Sequence, residues 1–178
     1  WDLSPSHTKI LMLTHRLLAS QQGYSNLAAT FRFNDAFTKK EHEHIAFFVD
    51  QLEPACDAFI ARRYGAMFEA LGSTTPQMRS HSDKTEWHDA MTQLVALREG
   101  GTVGQVVEHL RAQRKPRLPD AVEKRERELR DFDKAAGIEM PRVLEELEEL
   151  RDVAYSEVKA LRRYLDGHSP FETKHGVK

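Results

Sequence analysis

Long apolar runs are missing from this chain: Ile45 to Val49, the longest, and shorter ones such as Ile10 to Leu13 fall far short of the ~18 residues that a membrane span requires. Neither a span nor a signal peptide is expected. Cysteine is almost absent. Cys56 stands alone, which excludes an internal disulfide, suits the cytosol and leads us to expect a cytoplasmic location. Turn residues are scarce as well, with nine glycines and seven prolines in 178 residues against a combined ~12% in an average domain. A collagen-like repeat, a disordered tail and a sandwich of many short strands are thereby disfavoured, and long helices are favoured. Neither sign of charge is in excess: 26 Lys and Arg face 28 Asp and Glu, for a net charge of −2. A globally basic coat for nucleic acid is excluded, although local patches are not.

What is present is the balance of one globular unit, 40% apolar and 30% charged, long enough to bury roughly 70% of its unfolded surface. The chain begins at Trp1 rather than Met and reads as a piece of something larger. Its first element, Lys9-Ile-Leu-Met-Leu-Thr-His15, is a short apolar run that stops at polar residues, as a buried parallel strand would. The period then changes. His15 to Gln22 reads as a helix closed by Gly23, and Ser25 and Asn34 offer N-caps for two short segments. Ile45, Phe48, Val49 and Leu52 mark one helical face. Pro54 interrupts it, giving two abutting helices at about 40–52 and 54–71, the second ending at Gly72.

Ser73 to His81 reads as a loop. Asp83 and Glu86 have capping-box spacing before a helix with Trp87, Met91, Leu94 and Leu97 inside, ended by Gly100-Gly101. Thr102 and Gln105 repeat the spacing before a helix to about Gln113 that buries Val103, Val106, Val107 and Leu110. After Pro116 and Pro119, two long helices are predicted, at about 120–136 and 141–166, paired as an antiparallel hairpin. The second carries Val143, Leu147, Leu150, Ala154, Leu161 and Leu165 near a 3.6-residue period. Beyond Gly167, Pro170-Phe-Glu-Thr-Lys-His175 alternates in polarity and reads as a short strand. The expected fold is mainly α, a multi-helix, bundle-like subdomain at 17–168 between two strands, 1–16 and 169–178, that look like severed edges of a larger sheet.

No G-x-x-x-x-G-K-[ST] loop, G-x-G-x-x-G turn or G-x-S-x-G elbow occurs, so nothing here holds a nucleoside triphosphate. His42-Glu43-His44 invites a metal reading. On a helix, however, residues two apart point about 200° away from each other, so the two rings are not expected to share an ion. Cys56 falls where two apolar faces meet and reads as a buried, inert thiol. Arg111, Arg114, Lys115 and Arg117 gather four cations at a helix end, where they can contact nucleic-acid phosphates or simply complement the helix C-terminus. Glu123 to Glu128 alternates in sign as an exposed helix face does. Phe47, Phe48, Trp87 and Phe132 fall at helical apolar positions and read as core.

Thr173-Lys-His175-Gly-Val-Lys178 resembles the opening of T-x-H-x-x-K-G-x-E-F, motif five of UvrD-like superfamily 1 DNA helicases. In that family the motif lies on a strand of the second RecA-like motor domain, directly after a large helical insertion. Lys9-Ile-Leu-Met-Leu-Thr-His-Arg16 is similar to the strand that precedes the insertion, and Gly23-Tyr24 followed by Phe31, Phe33 and Phe37 to the stretch after it. The resemblance is specific over about 35 residues at the two ends; between them it rests on helical class and size. It implies a parent that translocates on single-stranded DNA and unwinds duplex with ATP and Mg, with Thr173 and His175 approaching the DNA backbone and Lys178 as the motif lysine. The 178 residues would then be an accessory, regulatory subdomain, holding no cofactor and inactive by themselves, with DNA and a protein as partners of the parent. Two other classes compete: a stand-alone helical module that docks a partner helix in an apolar groove, and, below both, a metal-dependent hydrolase built on His42.

Overall fold

A computed structural model describes residues 15–72, 78–113, 115–136 and 142–167, with the side chains of 132–136 and 142–144 left aside. The described residues are mainly helical and contain no β-strand. Of the predicted terminal strands, 169–178 and residues 1–14 of the segment 1–16 lie outside them, while His15 and Arg16 at its end are already helical.

Helix α1 (His15–Gln22) ends where predicted, at Gly23, whose φ of +82° lets its N–H and that of Tyr24 return to the Ala19 carbonyl. Helix α2 (Ser25–Thr30) starts on Ser25, not after it, and Tyr24 stands at its N-cap without a side-chain cap. The cap comes from far away instead. Buried Glu157 accepts the Leu27 N–H at 2.8 Å and the Asn26 amide at 2.6 Å. Asn34 precedes the short α3 (Asp35–Thr38), again with no side-chain cap.

Pro54 does not separate two helices. Helix α4 (Glu43–Phe47), a π turn (Phe48–Leu52) and α5 (Glu53–Ile60) run on from one another, and the Glu53 N–H donates to the Phe48 carbonyl five residues back. Proline needs no donor in the first turn of α5, and the extra residue of the π turn widens the helix just before its ring. The break falls later, at Ala61 to Arg63. Arg62 is left-handed at φ +58°, its N–H reaches Phe59 at 2.9 Å and the Arg63 N–H reaches Ala58 at 2.8 Å. This is a Schellman stop made without glycine, which is why the predicted 54–71 helix divides into α5 and α6 (Tyr64–Ala70).

Helix α7 (His81–Gly100) is capped three residues before the predicted Asp83. Ser80 is the cap: its hydroxyl accepts the Asp83 N–H at 3.1 Å, while the Asp83 carboxylate accepts the Ser80 N–H at 3.0 Å. The box before α8 (Val103–Gln113) is where the spacing puts it, with Thr102 and Gln105 exchanging bonds of 3.0 and 3.3 Å. Helix α9 is Asp120–Ala136.

The predicted helix 141–166 is two: α10 (Arg142–Asp152) and α11 (Tyr155–Leu165). Ala154 is extended at φ −60° and ψ 131°, and its neighbours bond to another segment, Tyr155 N–H to the Gly101 carbonyl and Val103 N–H to the Val153 carbonyl, both at 2.9 Å. A sharp turn of chain thus joins the α7–α8 connection to the α10–α11 connection. Ala154, predicted on the buried face, is exposed. Instead of a hairpin, α9 packs on α4, and α10 packs chiefly on α8 with a smaller contact to α9.

Helix α11 is central, packing against α7, the π turn, α1 and α2. The core it completes includes Tyr24, Leu27, Phe31, Phe37, Ile45, Phe48, Leu52, Met91, Leu94, Leu110, Tyr155, Val158 and Leu161. Of the aromatics predicted as core, Phe47 and Phe48 are buried and Trp87 is partly buried against Phe68; the Phe132 side chain lies outside the description.

Candidate functional site

The basic run sits where α8 ends and the connector to α9 begins. Arg114, Thr173, His175 and Lys178 lie outside the described residues, leaving Arg111, Lys115 and Arg117. Each of these three has a carboxylate partner. Arg111 pairs with Glu126 and, at 3.2 Å, with Glu108; Lys115 pairs with Glu86; Arg117 lies 3.3 Å from Asp120. Their side-chain exposures are 28%, 31% and 67%, so Arg117 presents the most open charge and Arg111 the least. The Lys115 hydrogen bond and charge hold the exposed Glu86 carboxyl below the usual range.

Arg111 reaches inward to a cluster that the sequence presented differently. His42 is the N-cap of α4 and is extended, with φ −86° and ψ 125°, so helical geometry does not separate it from His44. The two ring centroids are 5.3 Å apart. The His44 Nε2 is 2.8 Å from Oε1 of Glu126, with both side chains buried. Burial pushes the Glu126 carboxyl up, but the His44 hydrogen bond and the Arg111 charge outweigh it and hold it below the usual range. The Nδ1 atoms of both His42 and His44 are enclosed without a hydrogen-bond partner. Among the described residues, no three His, Cys, Asp or Glu side chains converge as ligands for a metal ion.

His42 gives a pH prediction. Burial first, then the charges of neighbouring His44 and Arg125, push its imidazole down to about 3. Its folded value is thus below the ~6.5 of an unfolded histidine, so the stability it confers is complete above ~6.5 and is lost as pH falls towards 3. Denaturant midpoints should show a fall of about 1.6 kcal/mol between pH 6.5 and 5. His42→Phe should flatten that interval, and an unchanged slope would rule the assignment out.

Sequence reasoning missed an ion-pair group built around the buried Glu53 and Arg98. Arg98 of α7 donates to both oxygens of Glu53, at 2.6 and 2.7 Å, and to Asp57 at 2.7 Å. Arg162 of α11 closes the group by donating to the other Asp57 oxygen at 2.6 Å. Although burial alone would lower the Arg98 value, the Glu53 hydrogen bond and charge outweigh it and keep the guanidinium firmly protonated. Glu53 and Asp57, four apart on α5 and beside apolar Leu52 and Cys56, were the available signal. Cys56 itself is buried, as expected, and its thiol is pushed up to about 12, chiefly by burial. Tyr155 lies against this group, and burial, followed by the Glu53 charge, raises its phenol well above the usual range.

These groups form a scaffold of buried ion pairs with cations at one edge, and among the described residues no helix is long and apolar enough to cross a membrane. The chain matches no protein-family model, no curated protein and no solved structure.

Proposed function

We propose that these residues form an accessory, regulatory subdomain of an ATP-dependent DNA helicase of the UvrD-like kind, one whose parent translocates on single-stranded DNA and unwinds duplex. The observation that carries the reading is the spacing Thr173-x-His175-x-x-Lys178 directly after a long helical region. A mainly helical body between the two ends is what such an insertion requires. In this reading ATP and Mg act on the parent's motor domains, while Thr173 and His175 offer a hydroxyl and an imidazole to phosphate oxygens of the single strand. An insert joined at two points can swing as a unit and gate access to the duplex.

DNA contact by the insert itself falls to Arg114, Lys115 and Arg117: the carboxylate partners of Lys115 and Arg117 are themselves exposed and can give way to phosphate, whereas Arg111 is held by the buried Glu126. The purified chain should bind a single-stranded oligonucleotide weakly in fluorescence anisotropy and show no magnesium-dependent ATP hydrolysis. Joint Lys115→Ala and Arg117→Ala substitution should weaken binding and reduce the slope of log K against log salt by roughly 1.4, about 0.7 for each lost phosphate contact. Binding and slope unchanged in the double variant would remove the patch; ATP turnover by the chain alone would overturn the accessory role. At the level of the gene, a G-x-x-x-x-G-K-[ST] sequence upstream and Gly-x-Glu-Phe directly after Lys178 are expected.

A further inference from the structure

A cleft of about 490 Å³ opens between α6 and the first half of α7. That volume falls within the ~300–1,000 Å³ of small-molecule sites. Its floor and walls are Phe59, Met67, Phe68 and Trp87, with Tyr64 and Met78 at the mouth. The rings are fixed against one another: Trp87 stands edge-on to Phe68 at 5.0 Å, and Phe59 meets Tyr64 at 6.2 Å and His88 at 5.5 Å. Tyr64 is 47% exposed and Met78 36%, so the apolar lining continues into solvent.

Apart from the hydroxyl of Thr85, the polar side chains that α7 adds to the lining all carry nitrogen. His81, Lys84 and His88 follow one another along a single stripe of α7, at the i, i+3 and i+7 spacing that places side chains on one face. No acidic residue lines the cleft among the described residues. Lys84 is exposed and, among those residues, has no carboxylate partner, unlike Lys39, Lys40, Lys115, Lys124 and Lys159, which all do. An apolar chamber closed on one side by an unpaired ammonium calls for an occupant with an apolar body and one negative head.

We propose that this cleft binds a small anionic amphiphile, a free carboxylate with a short acyl or aromatic body, whose head meets Lys84 between His81 and His88 and whose body lies on Phe59, Phe68 and Trp87. Decanoate is the probe. The chain has two tryptophans, and Trp1→Phe leaves Trp87 as the reporter inside the cleft. Titration of decanoate into this variant should give a saturable change in Trp87 emission in the micromolar range. Lys84→Glu should weaken decanoate about tenfold or more and Lys84→Gln by less, with neutral decanol bound alike by all three. Lys84 is exposed, so circular dichroism should be the same for each. The absence of saturation up to about 1 mM, equal affinity in the Lys84 variants, or a concentration-dependent dimer that occludes the cleft would each overturn the proposal. These outcomes leave the helicase reading untouched, since it rests on other residues.

Discussion

Replacing Arg98 by Met should destabilise the fold by about 3–5 kcal/mol, the penalty for leaving a buried charge without its partner. Glu53 is 1% exposed. Without Arg98, its nearest remaining cation is the Arg162 guanidinium at 3.9 Å, too far for a hydrogen bond. Stability of a domain is only about 5–15 kcal/mol, so the loss is a large share of it and should lower Tm by roughly 10 °C. Truncating both members, Glu53→Met with Arg98→Met, should return most of the deficit, because two well-packed apolar side chains replace a costly desolvated pair. A single-variant loss below about 1 kcal/mol, measured from denaturant midpoints at constant slope, would show that water already reaches the pair and that the assigned burial is wrong.

Gly104 should tolerate no side chain, at a cost of about 2 kcal/mol for Gly104→Ala. A Cβ there would sit 2.9 Å from the Arg151 carbonyl oxygen and 3.2 Å from the Arg151 Cβ, so backbone, not the tip of a flexible side chain, would have to move. Gly65 is the internal control. It lies in α6 with nothing within 4 Å of its would-be Cβ, and Gly65→Ala should stabilise by about 0.5–1 kcal/mol through helix propensity and a less disordered unfolded chain. Opposite signs at the two glycines are the expected thermal-melt result. If both changes stabilise, α8 and the end of α10 do not pack as closely as described.

Helical class was legible in the sequence because apolar period and the scarcity of turn residues pointed the same way, and Gly23, Gly72, Gly100-Gly101, Thr102, Gln105 and Gly167 marked their boundaries correctly. Some of the others hinge on distant partners. Nothing local ends α10 at Asp152: the chain bends there because Gly101 and Val103 supply hydrogen bonds to Tyr155 and Val153, and Gly104 permits the approach. Arg62 adopts a glycine-like conformation that composition does not advertise. Pro54 looked like a boundary since a straight α-helix cannot hold it internally, and the π turn removed that constraint. At the candidate site, the cations of the basic run could be read from the chain but their neutralising partners could not. Glu126 and Glu86 come from 15 and 29 residues away. The cleft was hidden for the same reason, as its halves lie on α5–α6 and α7.

The central position of α11 orders events in time. Glu157 supplies the cap of α2 across 130 residues, and Arg162 reaches Asp57 across 105. Closing a loop of that length carries an entropy term of about 4 kcal/mol, recovered only when all the contacts of α11 form together. A chain emerging from the ribosome N-terminus first therefore holds α2 without its cap and the Glu53–Asp57 carboxylates without one of their cations until α11 is released. The cap of α2 and the full Arg98–Glu53–Asp57–Arg162 group are thus completed only after α11 has been made.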